Sequence, residues 1–180
     1  MADTRLEIFT GRLMIRELGP GLAKSVHAGS LDEENRYFMP DEVFETEEDA
    51  AEAIRHLTTF YATKDGPLVY AVFLKNGAHI GHVEAVPIRE GKWEIGYHIT
   101  KGCTGNGYAT EAVAAFIPFI LRHLAIDTVF CICDAENTAS CRVLEKCGFS
   151  LVSEGRAAYH GRQANVRRYI FVQTHELQDG

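Results

Sequence analysis

The sequence predicts one mixed α/β domain, α+β in arrangement, with a central mixed, largely antiparallel sheet of about seven strands flanked by about four helices. Three observations carry this. Residues 68–99 hold three strand-like segments joined by two tight turns, a spacing that suits antiparallel neighbours. Two stretches of helical apolar periodicity, 109–124 and 137–147, enclose one apolar run at 128–133. A last pair of strand-like segments meets across His160-Gly161. At 180 residues the chain suits one domain with a real core, and no linker or repeat divides 1–180.

Each element has its own signal. RLMIREL (12–18) alternates as a strand does, LAKSVHAG (22–29) suits a short helix, and 31–45 reads as loop. Thr46 can cap a helix in which Ala50, Ile54, Leu57 and Tyr61 recur at helical spacing. LVYAVFL (68–74) is apolar throughout, as a strand covered on both faces is. Asn76-Gly77 marks a hairpin, HIGHVEAV (79–86) returns, and Glu90-Gly91 turns into KWEIGYHI (92–99). In this last strand Trp93, Ile95, Tyr97 and Ile99 share an apolar face, while Lys92, Glu94, Gly96 and His98 share the other.

The next helix carries Ala109, Ala112, Val113, Phe116, Ile120 and Leu124 on one face, with Pro118 inside the pattern, where a kink or broken turn is expected. TVFCIC (128–133) is a buried strand. Asn137 caps a helix with Val143, Leu144 and Cys147 inward, and Gly148 closes it. Strands near 149–158 and 163–172 finish the chain.

Composition narrows the function. Eighteen basic against 25 acidic residues give a net charge of -7, which argues against general nucleic-acid binding and leans toward a cationic partner, an amine or a basic peptide. No apolar run reaches the roughly 18 residues of a membrane span, and the opening MADTRLEIF has no leader-like apolar region, so a cytoplasmic location is expected. The five cysteines, Cys103, Cys131, Cys133, Cys141 and Cys147, form no C-x-x-C pair and have no matching histidine spacing, so free thiols and no metal are expected. His79 and His82, three apart in one strand, are expected on opposite faces.

The stretch GCTGNGYATEA (102–112) places Gly102, Gly105 and Gly107 directly before a helix. A helix start leaves about four backbone N–H groups without partners, and glycines ahead of it let a phosphate come close. The spacing is not that of a P-loop, which needs Gly-Lys-Ser/Thr where this chain has Gly-Tyr-Ala. Nor is it the dinucleotide fingerprint, which wants glycine where Thr110 stands and parallel strands before it.

EIGYHITKGCTGNGYATEA followed by ENTASCRVLEKCGF resembles the GNAT superfamily of N-acetyltransferases. N-x-x-S-x-x-V-L-E-K-C-G-F, with the opening GRLMIREL, is similar to the branch that acetylates N-termini of ribosomal proteins, alanine among them. The resemblance spans roughly 11–172. It implies acetyl-coenzyme A as co-substrate, its pyrophosphate held by backbone N–H groups of Thr104, Gly105, Asn106, Gly107, Tyr108, Ala109 and Thr110. It also implies a pantetheine arm paired with the backbone of His98 and Ile99 and touched by the Asn137 side chain. Where the family loop starts with Gln or Arg, this chain has Gly102, so that side chain is missing.

The same resemblance makes Ser140 the donor to the departing sulfur; the tyrosine many members use four residues later is Leu144 here. Glu94 is the leading base, on the polar face of the strand before the loop, with Gly96 leaving room for a ligand; His82 and His98 are alternatives. The expected activity is acetyl transfer to a primary amine by direct attack, a protein N-terminal α-amino group first and a small-molecule amine such as a polyamine, amino acid or aminoglycoside second. A non-catalytic acyl-coenzyme A module and a nucleotide-binding regulator are the rivals. Acceptor contacts are expected from 31–45 and 155–163.

Overall fold

A computed structural model describes residues 6–89 and 91–174. Eight strands form one sheet: β1 (Glu7–Phe9), β2 (Leu13–Glu17), β3 (Leu68–Leu74), β4 (His79–Arg89), β5 (Lys92–Ile99), β6 (Thr128–Asp134), β7 (Ser150–Tyr159) and β8 (Arg162–Val172). Their order is β1-β2-β3-β4-β5-β6-β8-β7. The strand beyond the expected seven is β1, whose three residues are too short to leave a pattern. Glu90 of the expected Glu90-Gly91 turn lies outside the described residues.

Helices cover both faces. Of those described, α1 (Ala23–Ser30), α2 (Glu33–Phe38), α3 (Glu47–Leu57) and the single turn α4 (Phe60–Thr63) precede β3, while α5 (Tyr108–Leu124) and α6 (Thr138–Lys146) flank β6. The sequence of β3 shows why. Leu68, Tyr70 and Val72 join the larger core under α5 and α6, while Val69, Ala71 and Phe73 join a smaller one with Ile54 of α3 and Ala23 of α1. A strand apolar on both faces is thus sandwiched, as expected.

Some local expectations are corrected. The segment 31–45 is not only loop: Asp32 caps α2 by accepting from the Asn35 N–H, a signal hidden by the helix's brevity. Helix α5 runs unbroken through Pro118, held by the burial of Phe116, Ile117, Ile120 and Leu121 around it. His79 and His82 do not part to opposite sides. A register shift in the β3–β4 ladder between Val72 and Phe73 re-phases the strand, and both histidines line one cavity. Thr46 does cap α3, reciprocally with Asp49, and Gly148 follows α6 at φ 86°. All five cysteines are free thiols, three of them buried.

Candidate active site

The site begins as a fault in the sheet. Every neighbouring pair of strands is antiparallel except β5 and β6, which are parallel and pair only at Glu94↔Phe130. Beyond that point β5 runs on to Ile99 and β6 to Asp134 without pairing, so the strands diverge and their facing backbones open into a cleft of about 710 Å³. A splayed strand leaves a row of unused N–H and C=O groups, a ready edge for an extended ligand.

Alternation fixes which groups are free. The Thr100 N–H donates to Ile80 O, and a Cβ on Gly81 would run into His98 O. The backbone of His98 is therefore spent on β4, and that of Ile99 and Tyr97 turns toward the split. Of the two residues whose backbone was expected to pair with a pantetheine arm, Ile99 faces the split, as Tyr97 does, and His98 faces β4.

At the open end of β5 lies the glycine loop. Gly105 and Gly107 have φ of 78° and 80°, a left-handed backbone that suits glycine, and a Cβ on Gly105 would meet only open space. Gly107 is the N-cap of α5, and no side chain caps that helix. Its first-turn N–H groups point at the cleft mouth, where Lys101, Arg142 and Lys146 add positive charge. These features fit a diphosphate. The predicted catalytic and cofactor-binding residues line this cleft except Asn106, whose amide folds back onto Cys103 O and Thr104 O at 3.1 Å; of the two alternative bases His98 lines it and His82 does not.

Arg12 braces the same loop and was missed in the sequence. Its Nη1 donates to Asn106 O at 2.9 Å, its Nε pairs with Glu111 at 2.6 Å, and its guanidinium lies over the Tyr108 ring. A cation thus reaches the cradle from the turn before β2, 94 residues away, where Gly102 supplies none. Only the fold could show that.

On the α6 side, Asn137 Oδ1 accepts the Ser140 N–H at 3.1 Å as the helix cap, leaving its amide nitrogen for a ligand. The Ser140 hydroxyl lies 2.8 Å from the Tyr97 hydroxyl. Tyr97 was read as a core residue from its alternation with Trp93 and Ile95, and its ring does pack on the core while its hydroxyl reaches the cleft. Burial, then the neighbouring Cys131, pushes its pKa far up, so it holds its proton.

The opposite wall is acidic. Burial raises the Glu94 carboxyl above its ordinary range, opposed by a hydrogen bond from the Ile132 backbone and by His160. The space over Gly96 is not free for a ligand, as expected from sequence, but is filled by the Glu84 side chain. Burial first, then the charge of Glu42, pushes Glu84 up to about 7. Glu42, His82 and Glu84 bring ligand atoms within 4.8 Å of one another, a cluster that could hold a metal ion and that the sequence scan for cysteine and histidine spacing missed. Burial pushes His98 down to about 4, so its ring is neutral near pH 7, and His82 lies behind this wall rather than in the cleft.

The segment 31–45 and the β7–β8 hairpin meet over the cleft. Arg162 stacks on Tyr37 with its carbon 4.2 Å from the ring centre, and His160 pairs with Asp41 at 2.9 Å. Arg162 also binds the buried Asp134 at the end of β6.

A split sheet leading into an uncapped, glycine-led helix offers an extended, phosphate-bearing ligand a strand edge and an anion cradle. The chain belongs to the GNAT acetyltransferases: the acetyltransferase (GNAT) domain profile matches residues 12–150, and the protein is an acyltransferase. It is 29% identical over 145 residues to the uncharacterized N-acetyltransferase YnaD of Bacillus subtilis (strain 168), covering 79% of this chain and 82% of that one. The fold is shared with a GNAT-family acetyltransferase from Bacillus anthracis (TM-score 0.81, 23% identity, 93% and 98% of the two chains). It is shared too with RimL, a ribosomal L7/L12 α-N-protein acetyltransferase solved with coenzyme A (TM-score 0.81, 19% identity, 93% and 98%). A third likeness is the ribosomal-protein-S5-alanine acetyltransferase of Vibrio fischeri (TM-score 0.78, 17% identity, 93% and 97%).

Proposed function

We propose that this protein transfers acetyl from acetyl-coenzyme A to a primary amine, with a protein N-terminal α-amino group as the leading acceptor. The observation that carries this is the divergence of β5 and β6 after Glu94↔Phe130, which opens directly onto the uncapped start of α5. Bound there, acetyl-coenzyme A would supply an activated thioester. The chain's own residues would do the rest. First-turn N–H groups of α5 hold the diphosphate, with Arg12 bracing their loop, and the Ile99 and Tyr97 backbone aligns the arm. Glu94 takes the ammonium proton, and Ser140 donates to the leaving sulfur.

The likeness to ribosomal-protein acetyltransferases supports the N-terminal acceptor, as do the Tyr37–Arg162 and Asp41–His160 contacts that roof the acceptor side. A small-molecule amine is the second reading, favoured by the inner cavity described next. No described helix is long and apolar enough to cross a membrane. An acetylation screen using peptides with different first residues and a set of small amines tests the reading. Acetylated α-amino product from peptides supports it; turnover confined to small amines moves the acceptor to the second reading.

A further inference from the structure

Behind the cleft is a second cavity of about 300 Å³, set between α1, α3 and the sheet. Asn35, Glu42, Glu84 and His98 line both spaces and form the wall between them. Asn35 is only 4% exposed. Its Nδ2 donates to Ser30 O at 2.9 Å and toward Glu42 O at 3.4 Å, which fixes the amide and leaves Oδ1 buried with no partner. Glu42 Oε2 faces His82 Nε2 at 3.2 Å as an ion pair but meets no donor in hydrogen-bonding geometry. Neither ring nitrogen of His79, on the same cavity, has a well-formed hydrogen bond. A buried polar group left unsatisfied forfeits its hydration without compensation. Several around one cavity point to an occupant.

Charge decides the occupant's chemistry. The unsatisfied Asn35 Oδ1 and Glu42 Oε2 are acceptors, and Glu84 brings a second carboxyl group within 4.8 Å of Glu42. His82 Nε2 faces Glu42 Oε2 at 3.2 Å, and the rings of His79 and His98 line the same cavity. Asp32 at the cap of α2, Glu94 on β5 and His160 on the hairpin act from the neighbouring elements. An anion would face Glu42 and Glu84, and an apolar group would leave Asn35 Oδ1 unpaired. A primary ammonium brings three donors and a positive charge.

We propose that the inner cavity holds a second, cationic donor group of the acceptor, bound by Asn35 Oδ1, Glu42 and Glu84 while the reacting amine lies in the cleft. This rests on the reading of the cleft as an amine-acetylating site. The cation has two sources, the far end of a free diamine or the side chain of a lysine at the start of a peptide.

Calorimetry on the coenzyme A-loaded protein separates them without turnover. One arm compares 1,4-diaminobutane with butylamine, the other a peptide starting with lysine and the same peptide starting with norleucine. In one arm the dication is expected to bind at least about tenfold tighter, and the winning arm names the source. Asn35→Ala and Glu42→Gln are each expected to bring that preference close to one; should the first fail to fold, the second, which keeps side-chain shape, decides. Equal binding in both arms would overturn the proposal and leave the cavity to water. So would a preference that survives Glu42→Gln, or tight Zn²⁺ binding that excludes the diamine. A protein that prefers the dication yet acetylates no amine would refute the acetyl-transfer reading and leave standing only the cavity's binding of a cation.

Discussion

The Tyr97 hydroxyl lies 2.9 Å from the Ser140 backbone oxygen and 2.8 Å from Ser140 Oγ, joining β5 to α6 across the open end of the split. The phenol keeps its proton and donates it to the carbonyl, so the serine hydroxyl is held in place by a second hydroxyl rather than left to solvent. Under the proposed mechanism the acid role that many members give to a tyrosine on α6, where Leu144 stands, falls to Ser140, with Tyr97 orienting its hydroxyl.

Ser140→Ala removes the inner hydroxyl and keeps the helix cap, since the Asn137 bond is to the backbone N–H. A fall in kcat of about ten- to a hundredfold is expected, in the usual range for acid–base groups. Coenzyme A affinity should change little. Tyr97→Phe should lower kcat less, by about three- to tenfold, because only the serine's orientation is lost. A Ser140→Ala enzyme within about twofold of the parent would pass the role to water.

Gly107→Val puts a branched side chain on a residue at φ 80° and into contact with Arg12. Coenzyme A affinity should fall at least about tenfold, or about 1.4 kcal/mol, as calorimetry would read. Arg12→Ala should weaken it too, by removing the brace on Asn106 O. Unchanged affinity in both variants would take this loop out of the site.

The pH dependence of kcat/KM bears on Glu94. Its raised pKa means the carboxylate form is gained as pH rises, and the acceptor ammonium loses its proton over the same direction. Glu94→Gln should lower kcat/KM at neutral pH and recover part of the loss near about pH 9 for an α-amino acceptor, whose pKa is near 8. A lysine-like amine, titrating above about 10, should recover less. Identical profiles in parent and variant would remove Glu94 from the chemistry.

Glu84 makes a stability prediction of definite sign. Its folded pKa, about 7, is above the ordinary 4.5, so the folded state binds its proton more tightly than the unfolded chain does. The resulting stabilisation is full below the ordinary value and is lost as pH rises through about 7. His82, also raised, adds a loss with rising pH, and the lowered Glu42 opposes it. The melting temperature of Glu84→Gln should therefore gain on that of the parent as pH is raised from about 5 to 8. A constant difference between the two proteins would contradict the burial of a titrating carboxyl at this position.

The elements that alternate or repeat strongly were legible in the sequence: the two-faced β3, the capped α3, the glycine loop and the Asn137 cap all stand where pattern placed them. What was hidden depends on contacts between distant segments. Arg12 reaches the loop from the turn before β2, Glu84 fills the space over Gly96 from β4, and Tyr97 sends only its hydroxyl out of a core face. No spacing along the chain encodes these. The β3–β4 register shift, which turns His79 and His82 into one cavity, was equally invisible, since strict alternation assigns them to opposite faces.

The central claim is transfer of acetyl to an amine in the split between β5 and β6. The most direct measurement follows thiol release from acetyl-coenzyme A together with mass spectrometry of the acceptor, over a panel of peptides and small amines. The account predicts one thiol released per acetyl group found on a primary amine nitrogen, with both signals falling together in Ser140→Ala. Coenzyme A bound tightly at the loop, with no thiol release above the amine-free rate for any acceptor, would contradict it.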